Sequence, residues 1–419
     1  ASPSGSSGSA PIRMSVIGND LYTGTQQRLL QFKIVPGSPT TLVFNACWRS
    51  DFEPGVVSDS CQVLRTPGMA VNGHLYFTDL SGPTVTPDGK NIYALVTTKG
   101  NIGQPDSAVS AILHFARNTV SGELSYQDCA GQLQEVDNNL PTSVTFTLQP
   151  CGYGNLFGFR HGGPYDAFSV TPDGNSLVVA GMGGDTTSCP NPLDFNTCRP
   201  WAVGFLTVGT GGALSNRQCL MVPSGTFCPN VPSMVVDNVY PNSSLPFNVT
   251  FAPSNSPGLY DMYFETNVGN PAIDPSTLIF HPVSGNLYNL VSTPANTSDN
   301  RLNGGYVWDR LFQVAPKSGQ LFAIGGTTNP FLTEHFIFHP DANNQGLLTY
   351  VDCAVGAIGQ DGYIQPCDQN VYLPENSYTR QMTFTPDGNT MFSMGYFLTA
   401  FTQGAPKTLT DRKSTRLNS

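Results

Sequence analysis

Alternating apolar and polar positions recur along the chain in two short units, and each unit reads as a pair of β-strands. The first is a hairpin closed by Pro-Asp-Gly. It occurs as Val85-Thr86-Pro87-Asp88-Gly89-Lys90-Asn91-Ile92-Tyr93, as Val170-Thr171-Pro172-Asp173-Gly174-Asn175-Ser176-Leu177-Val178, and as Phe384-Thr385-Pro386-Asp387-Gly388-Asn389-Thr390-Met391-Phe392. Two looser copies keep the proline, at Ala252-Pro253-Ser254-Asn255 and Ala315-Pro316-Lys317-Ser318-Gly319. Proline presets φ at the first turn position, and glycine accepts positive φ at the last. The second unit is an apolar strand, a Gly-containing turn and a strand of the form Leu-x4-Cys. Its copies end on Leu42 and Cys47, Leu124 and Cys129, Leu214 and Cys219, and Leu348 and Cys353; a fifth begins at Leu287 and has Ser292 in place of cysteine.

Joined, the two units supply four strands, which is the content of one propeller blade. Along the chain the order is one second unit, four complete pairs, then one first unit. The terminal halves then complete each other. The sequence therefore predicts an all-β β-propeller of five four-stranded blades, its ring closed by N- and C-terminal strands. An extra strand over residues 13–18 makes six blades the alternative, and seven also fits a propeller. Residues 1–12 read as a flexible Ser/Gly/Pro leader, 13–405 as a single propeller domain, and 406–419 as a basic tail resembling translated adaptor sequence.

Composition agrees with turn-rich β structure. Of 419 residues, 43 are Gly and 34 are Pro, and charged residues make up only 11%, which disfavours long helices. The net charge of −10 and the lack of a basic run in the body of the chain argue against nucleic-acid binding. No apolar stretch reaches the roughly 18 residues of a membrane span.

The ten cysteines track the repeat. A second cysteine follows each Leu-x4-Cys, and the repeat that lacks the first cysteine lacks the second as well. The expected bridges are Cys47–Cys61, Cys129–Cys151, Cys219–Cys228 and Cys353–Cys367, leaving Cys189–Cys198 by exclusion. Metal binding fits poorly, because the chain has no Cys-x-x-Cys. Disulfides and the sequons at Asn242, Asn248 and Asn296 point to a secreted or cell-surface glycoprotein.

The Thr-Pro-Asp-Gly-x-x-Ile-Tyr hairpin, followed by an apolar strand and a Gly-x-Leu strand, resembles the YVTN/lactonase-like propeller repeats over most of residues 28–397. The resemblance implies the fold. Family members range from sugar-lactone hydrolases and muconate cycloisomerases to surface proteins without known chemistry.

Familiar catalytic motifs are missing: there is no Gly-x-Ser-x-Gly and no His-Glu-x-x-His. His335 and His339 lie four residues apart on a predicted strand, about 13 Å of rise, too far to share a metal. No cofactor is called for. Innermost strands of a propeller enter at the mouth of the central channel. Counting five residues back from each turn places Ser81, Asp166, Phe247, Arg310 and Arg380 there, with Arg160 and His161 nearby. Two arginines suit a carboxylate, because the guanidinium fork pairs with it bidentately. The competing reading is that Asp166 and the arginines neutralise one another and tie blades together.

Three functions follow as expectations. The first is a non-enzymatic extracellular subunit that packs against copies of itself or another extracellular protein, as a filament or surface coat. The second is a lactonase-like hydrolase or isomerase acting on an anionic sugar or lactone at the mouth, through Arg310, Arg380, Asp166 and His161. The third is a glycan-binding module using Tyr153, Phe157 and Tyr165.

Overall fold

In the three Thr-Pro-Asp-Gly hairpins the sequence motif closes itself. Thr86 N donates to Asn91 O at 2.9 Å, and Gly89 N donates to Thr86 O at 2.8 Å. The Thr86 hydroxyl donates to Asp88 Oδ1 at 2.6 Å and accepts from Asn91 N at 3.1 Å, while Asp88 Oδ1 also accepts from Lys90 N at 3.0 Å. The same bonds recur through Thr171 and Asp173, and through Thr385 and Asp387. The glycine sits at positive φ in each: 70° at Gly89, 75° at Gly174 and 65° at Gly388. At Ala315 the hydroxyl is gone, yet Ala315 N still donates to Gln320 O at 2.8 Å. Backbone closure therefore survives in the looser copy.

The computed structural model describes residues 13–24, 28–35, 41–49, 60–64, 73–76, 79–98, 109–137, 146–150, 159–160, 167–183, 201–221, 245–254, 257–267, 277–284, 287–292, 311–316, 318–326, 333–341, 347–356, 369–371, 381–394, 398–403 and 409–411. These residues are almost entirely β-strand, and the fold class is the β-propeller. The chain divides into two compact units.

One unit comprises Asp20–Lys33 and Phe44–Leu245. It holds three sheets. The first contains β2 (Asp20–Gly24), β3 (Arg28–Val35), β4 (Thr41–Arg49) and β5 (Gln62–Val63), in that order. In the second, β7 (Asp79–Val85), β8 (Asn91–Thr98), β9 (Val109–Arg117) and β10 (Leu124–Asp137) run side by side. β6 (Gly73–Tyr76) and β11 (Phe146–Pro150) both pair with the far half of β10. The third orders β12 (Phe159–Arg160), β14 (Ser176–Gly183), β15 (Trp201–Val208) and β16 (Leu214–Met221), with β13 (Ala167–Val170) also on β14.

The other unit comprises Ala1–Asn19, Ile34–Val43 and Pro246–Ser419. In it β1 (Arg13–Ile17) lies beside β26 (Gln381–Phe384). Its sheets are β17 (Leu245–Pro253) to β20 (Leu287–Ser292) through β18 (Tyr260–Asn267) and β19 (Thr277–Ser284); β21 (Leu311–Val314) to β25 (Gln369–Val371) through β22 (Leu321–Gly326), β23 (Thr333–Asp341) and β24 (Leu347–Gly356); and β26 to β29 (Leu409–Asp411) through β27 (Thr390–Met394) and β28 (Leu398–Gln403).

Among the described residues there are thus six sheets, where the repeat count favours five. The difference lies at the ends. The extra N-terminal strand forms as β1, and the last hairpin, β26–β27, does not stop there. It continues into β28 and β29, whose sequence lacks the Leu-x4-Cys signature.

Apolar side chains from neighbouring sheets interlock. Tyr93, Leu95 and Ile112 of the second sheet pack with Phe168, Leu177, Val179 and Leu206 of the third. Ala315 and Phe322 pack with Met382, Phe384, Met391 and Phe401 in the other unit, with Phe322 and Phe384 ring centroids 5.1 Å apart. Each such large side chain contributes roughly 1.5–3 kcal/mol on burial. The Cys47–Cys61 bridge is formed and holds β5 parallel to the end of β4, over the buried Trp48. Cys129 is disulfide-bonded. The expected partners Cys151, Cys228 and Cys367, and both Cys189 and Cys198, lie outside the described residues.

Candidate functional site

Buried polar side chains gather at two sheet junctions of the Asp20–Lys33 and Phe44–Leu245 unit, and the two gatherings are built alike. Each begins with a polar residue, an apolar residue and a tyrosine at the start of a second strand: Asp20-Leu21-Tyr22 on β2 and Asn91-Ile92-Tyr93 on β8. Opposite the tyrosine, on the third strand, stands a polar residue in an apolar run: Gln31 faces Tyr22 and His114 faces Tyr93. A glycine from the turn between the last two strands of the next sheet covers the pair.

In the first clasp the Tyr22 hydroxyl donates to Gly122 O at 2.7 Å. Gln31 Nε2 donates to Asp20 Oδ1 at 2.8 Å and to Gly122 O at 3.1 Å, and its Oε1 accepts from Asn45 Nδ2 at 3.0 Å. Arg117 reaches in from the second sheet. Its Nε donates to Tyr22 Oη at 2.9 Å, one terminal nitrogen donates to Gly89 O at 3.2 Å, and the other pairs with Asp20 Oδ2. Lys33 Nζ lies 2.5 Å from Asp20 Oδ1 and donates to Ser121 O at 2.6 Å. Asp20 is 2% exposed, so its charge is tolerable only because two cations and an amide meet it. Burial, and then the Asp20 carboxylate, push the Tyr22 phenol far above its ordinary value against the opposing pull of Arg117, so Tyr22 remains an O–H donor.

In the second clasp the Tyr93 hydroxyl donates to Gly212 O at 2.6 Å. His114 Nδ1 donates to Asp128 Oδ1 at 2.8 Å, and its Nε2 lies 3.0 Å from Asn91 Oδ1. The imidazole stacks on Tyr93 with centroids 5.1 Å apart. A bulge between Tyr126 and Asp128 sets Asp128 opposite His114. Burial, followed by the carboxylates of Asp128 and Asp88, raises the Tyr93 phenol far above its ordinary value, again keeping the donor.

The covering glycines explain the fit. Gly122 has φ +77° and Gly212 φ +87°, conformations that side chains rarely adopt. A Cβ on Gly122 would stand 2.6 Å from Asp20 Cγ, and one on Gly212 2.6 Å from Asn91 Cγ. A third copy of the polar-apolar-tyrosine start, Asp261-Met262-Tyr263 on β18, is likewise buried.

A smaller lock also repeats. Thr84 Oγ1 on β7 accepts from Val170 N on β13 at 3.0 Å, and Thr250 Oγ1 on β17 accepts from Val314 N on β21 at 3.0 Å. Each threonine stands two positions before its turn, and each valine stands immediately before its own. The chemistry of these groups is therefore that of joining sheets. Donors and acceptors are consumed between neighbours, and Arg117 is neutralised where it sits.

The sequence-predicted mouth is placed only in part. Ser81 lies on β7 opposite Leu95, Arg160 on β12 opposite Met182, and Phe247 on β17. Asp166, His161, Arg310, Arg380, Tyr153, Phe157 and Tyr165 lie outside the described residues. Along the chain, Asp166, Arg310 and Arg380 each come one residue before a first strand, β13, β21 and β26. His335 and His339 stand on β23 in register with Ala354 and Thr349, four residues apart on one strand. Among the described residues no three His, Cys, Asp or Glu side chains group as metal ligands. No described helix is long and apolar enough to cross a membrane.

Sequence reasoning missed both clasps. Their signal was present: a tyrosine two residues after Asp or Asn at three strand starts, and a Gln or His set between apolar neighbours on a strand.

No family model matches the chain, and no curated protein matches it. Among solved structures it is similar to the periplasmic gluconolactonase of Pseudomonas aeruginosa, at 14% identity and TM-score 0.41, covering 96% of this chain and 83% of that one. It is also similar to prolyl oligopeptidase B of Galerina marginata, at 10% identity and TM-score 0.40, and spans 50% of that protein's length. A third similarity is to the extracellular domains 1–2 of Drosophila Semaphorin 1a, at 10% identity and TM-score 0.37, covering 92% of this chain and 85% of that one.

Proposed function

We propose that the protein is an extracellular, disulfide-stapled glycoprotein whose role is structural, as a subunit that packs against copies of itself or against another extracellular protein. The observation that carries this reading is the use made of buried polar groups. Asp20, Arg117, Gln31, Tyr22 and Tyr93 are held in bonds that fasten one sheet to the next, and His114 braces Tyr93 from within its own sheet. Buried hydrogen-bond networks of this kind favour one rigid arrangement of sheets, as a load-carrying subunit requires. The Cys47–Cys61 bridge adds to that rigidity and suits an oxidising compartment. The test is sedimentation velocity on the glycosylated protein over a hundredfold concentration range. Concentration-dependent growth beyond the monomer supports the reading, and a monomer throughout opposes it.

A second reading rests on chain position. Asp166, Arg310 and Arg380 come one residue before β13, β21 and β26 along the chain, so the repeat carries charged residues at one equivalent sequence position. Such a set suits an anionic sugar or lactone, with Arg160, His161 and Ser81 contributing. Under this reading Arg310→Ala combined with Arg380→Ala abolishes lactone turnover while leaving the urea midpoint in place. Absence of turnover in the parent protein removes it.

A further inference from the structure

The sequon Asn248-Val249-Thr250 lies within β17, and the fold has already claimed its third residue. Val249 is 5% exposed and Thr250 4% exposed. The Thr250 hydroxyl oxygen accepts from Val314 N on β21 at 3.0 Å, across a junction between two sheets. Thr84 makes the same bond to Val170 N at 3.0 Å, and there the preceding residues are Gly82 and Pro83, with no asparagine and hence no sequon. The threonine at this repeat position is thus explained by sheet joining, whether or not a sugar is attached. A sequon is read through its hydroxyl residue as well as its asparagine, from an accessible stretch of chain. In the folded unit Thr250 meets neither condition.

We infer that Asn248 is a fold-gated glycosylation site: it accepts a glycan only before β17 docks on β21, and docking withdraws the sequon from the transferase. This rests on the reading of the protein as an extracellular glycoprotein. The transfer forms a bond from sugar C1 to Asn248 Nδ2 and breaks the bond from C1 to the pyrophosphate of a lipid-linked oligosaccharide. The amide proton passes to a base on the enzyme, and the lipid pyrophosphate leaves. Once Val314 N and Thr250 Oγ1 are joined, separating them for the enzyme strands a buried amide donor. Folding and modification at this site therefore compete in time, and occupancy at Asn248 records which came first.

The test uses the full chain produced without glycans. One portion is kept folded, and another is reduced, alkylated and held unfolded in dilute urea. Both are incubated with oligosaccharyltransferase and lipid-linked oligosaccharide, and glycopeptides spanning Asn248 are quantified by mass spectrometry. Asn248→Gln identifies the signal. The inference predicts modification of the unfolded chain and at least about tenfold less in the folded chain. Equal modification of both overturns it, and so does an Asn248 left unmodified in both. In a third sample Val314→Pro removes the donor to Thr250 and keeps the sequon, so modification of the natively prepared variant should rise toward the unfolded level. Because the assay uses purified chain in vitro, its failure leaves self-assembly standing, and a monomeric protein leaves the gating standing.

Discussion

Replacing Gly212 by alanine tests the clasp account in a way that its neighbour controls. Gly211 and Gly212 lie side by side in the Thr210–Gly212 turn, and both have positive φ, 76° and 87°. Alanine at either position carries the left-handed penalty of roughly 1–2 kcal/mol. At Gly211 a Cβ meets nothing within 4 Å. At Gly212 the new methyl lies 2.6 Å from Asn91 Cγ, and is tighter still against Asn91 Oδ1 and His114 Nε2. The turn must then move away from β8, which breaks the bond from the Tyr93 hydroxyl to Gly212 O. A buried bond lost with its partner unsatisfied costs a further 1–3 kcal/mol or so. Gly212→Ala is therefore expected to cost about 2–5 kcal/mol against about 1–2 for Gly211→Ala, with the gap of about 1–3 set by the lost bond. Urea denaturation followed by tryptophan fluorescence reads the difference, with Trp48 buried in the same unit. Equal midpoints for the two variants would refute the reasoning, because only the steric and hydrogen-bond part separates them.

Three other outcomes follow. Tyr93→Phe and Tyr22→Phe should each cost about 1–3 kcal/mol, the latter more, because Arg117 Nε also loses its acceptor; urea midpoints check both. Asp20→Asn leaves Arg117 and Lys33 facing a neutral amide, and loss of one partner of a buried ion pair costs about 3–5 kcal/mol. An additional Arg117→Met should recover part of that loss. Burial raises the Asp173 carboxyl, but the Thr171 hydroxyl and the backbone and side-chain amides of Asn175 outweigh it and hold it below the ordinary range. Its stabilisation is complete above the unfolded carboxyl range and fades as pH falls below about 4. The midpoint gap between the parent and Asp173→Asn should accordingly shrink between pH 5 and pH 3.

The strand pattern was legible because it is local. Thr86, Asp88 and Gly89 sit within four residues of one another, and their mutual bonds need no partner from elsewhere. The five copies of each unit therefore marked real hairpins. The sixth sheet was hidden at its C-terminal end, since β28 and β29 are short and carry no cysteine. The clasps were hidden for a different reason. Tyr22 and Gly122 are 100 residues apart, and Tyr93 and Gly212 are 119 apart. A tyrosine in a strand reads as an ordinary core aromatic until its hydroxyl is seen to have a partner. Asp128 needed, in addition, a one-residue bulge that shifts it into line with His114, and no residue near it announces that bulge. At Thr250 a residue of a motif read as a modification signal is also a sheet lock, and that second use was not legible in the sequence.

Negative-stain electron microscopy of the native, glycosylated protein tests the structural reading most directly. The account predicts regular filaments or sheets whose repeat matches one propeller domain. Dispersed single particles at every concentration would contradict it.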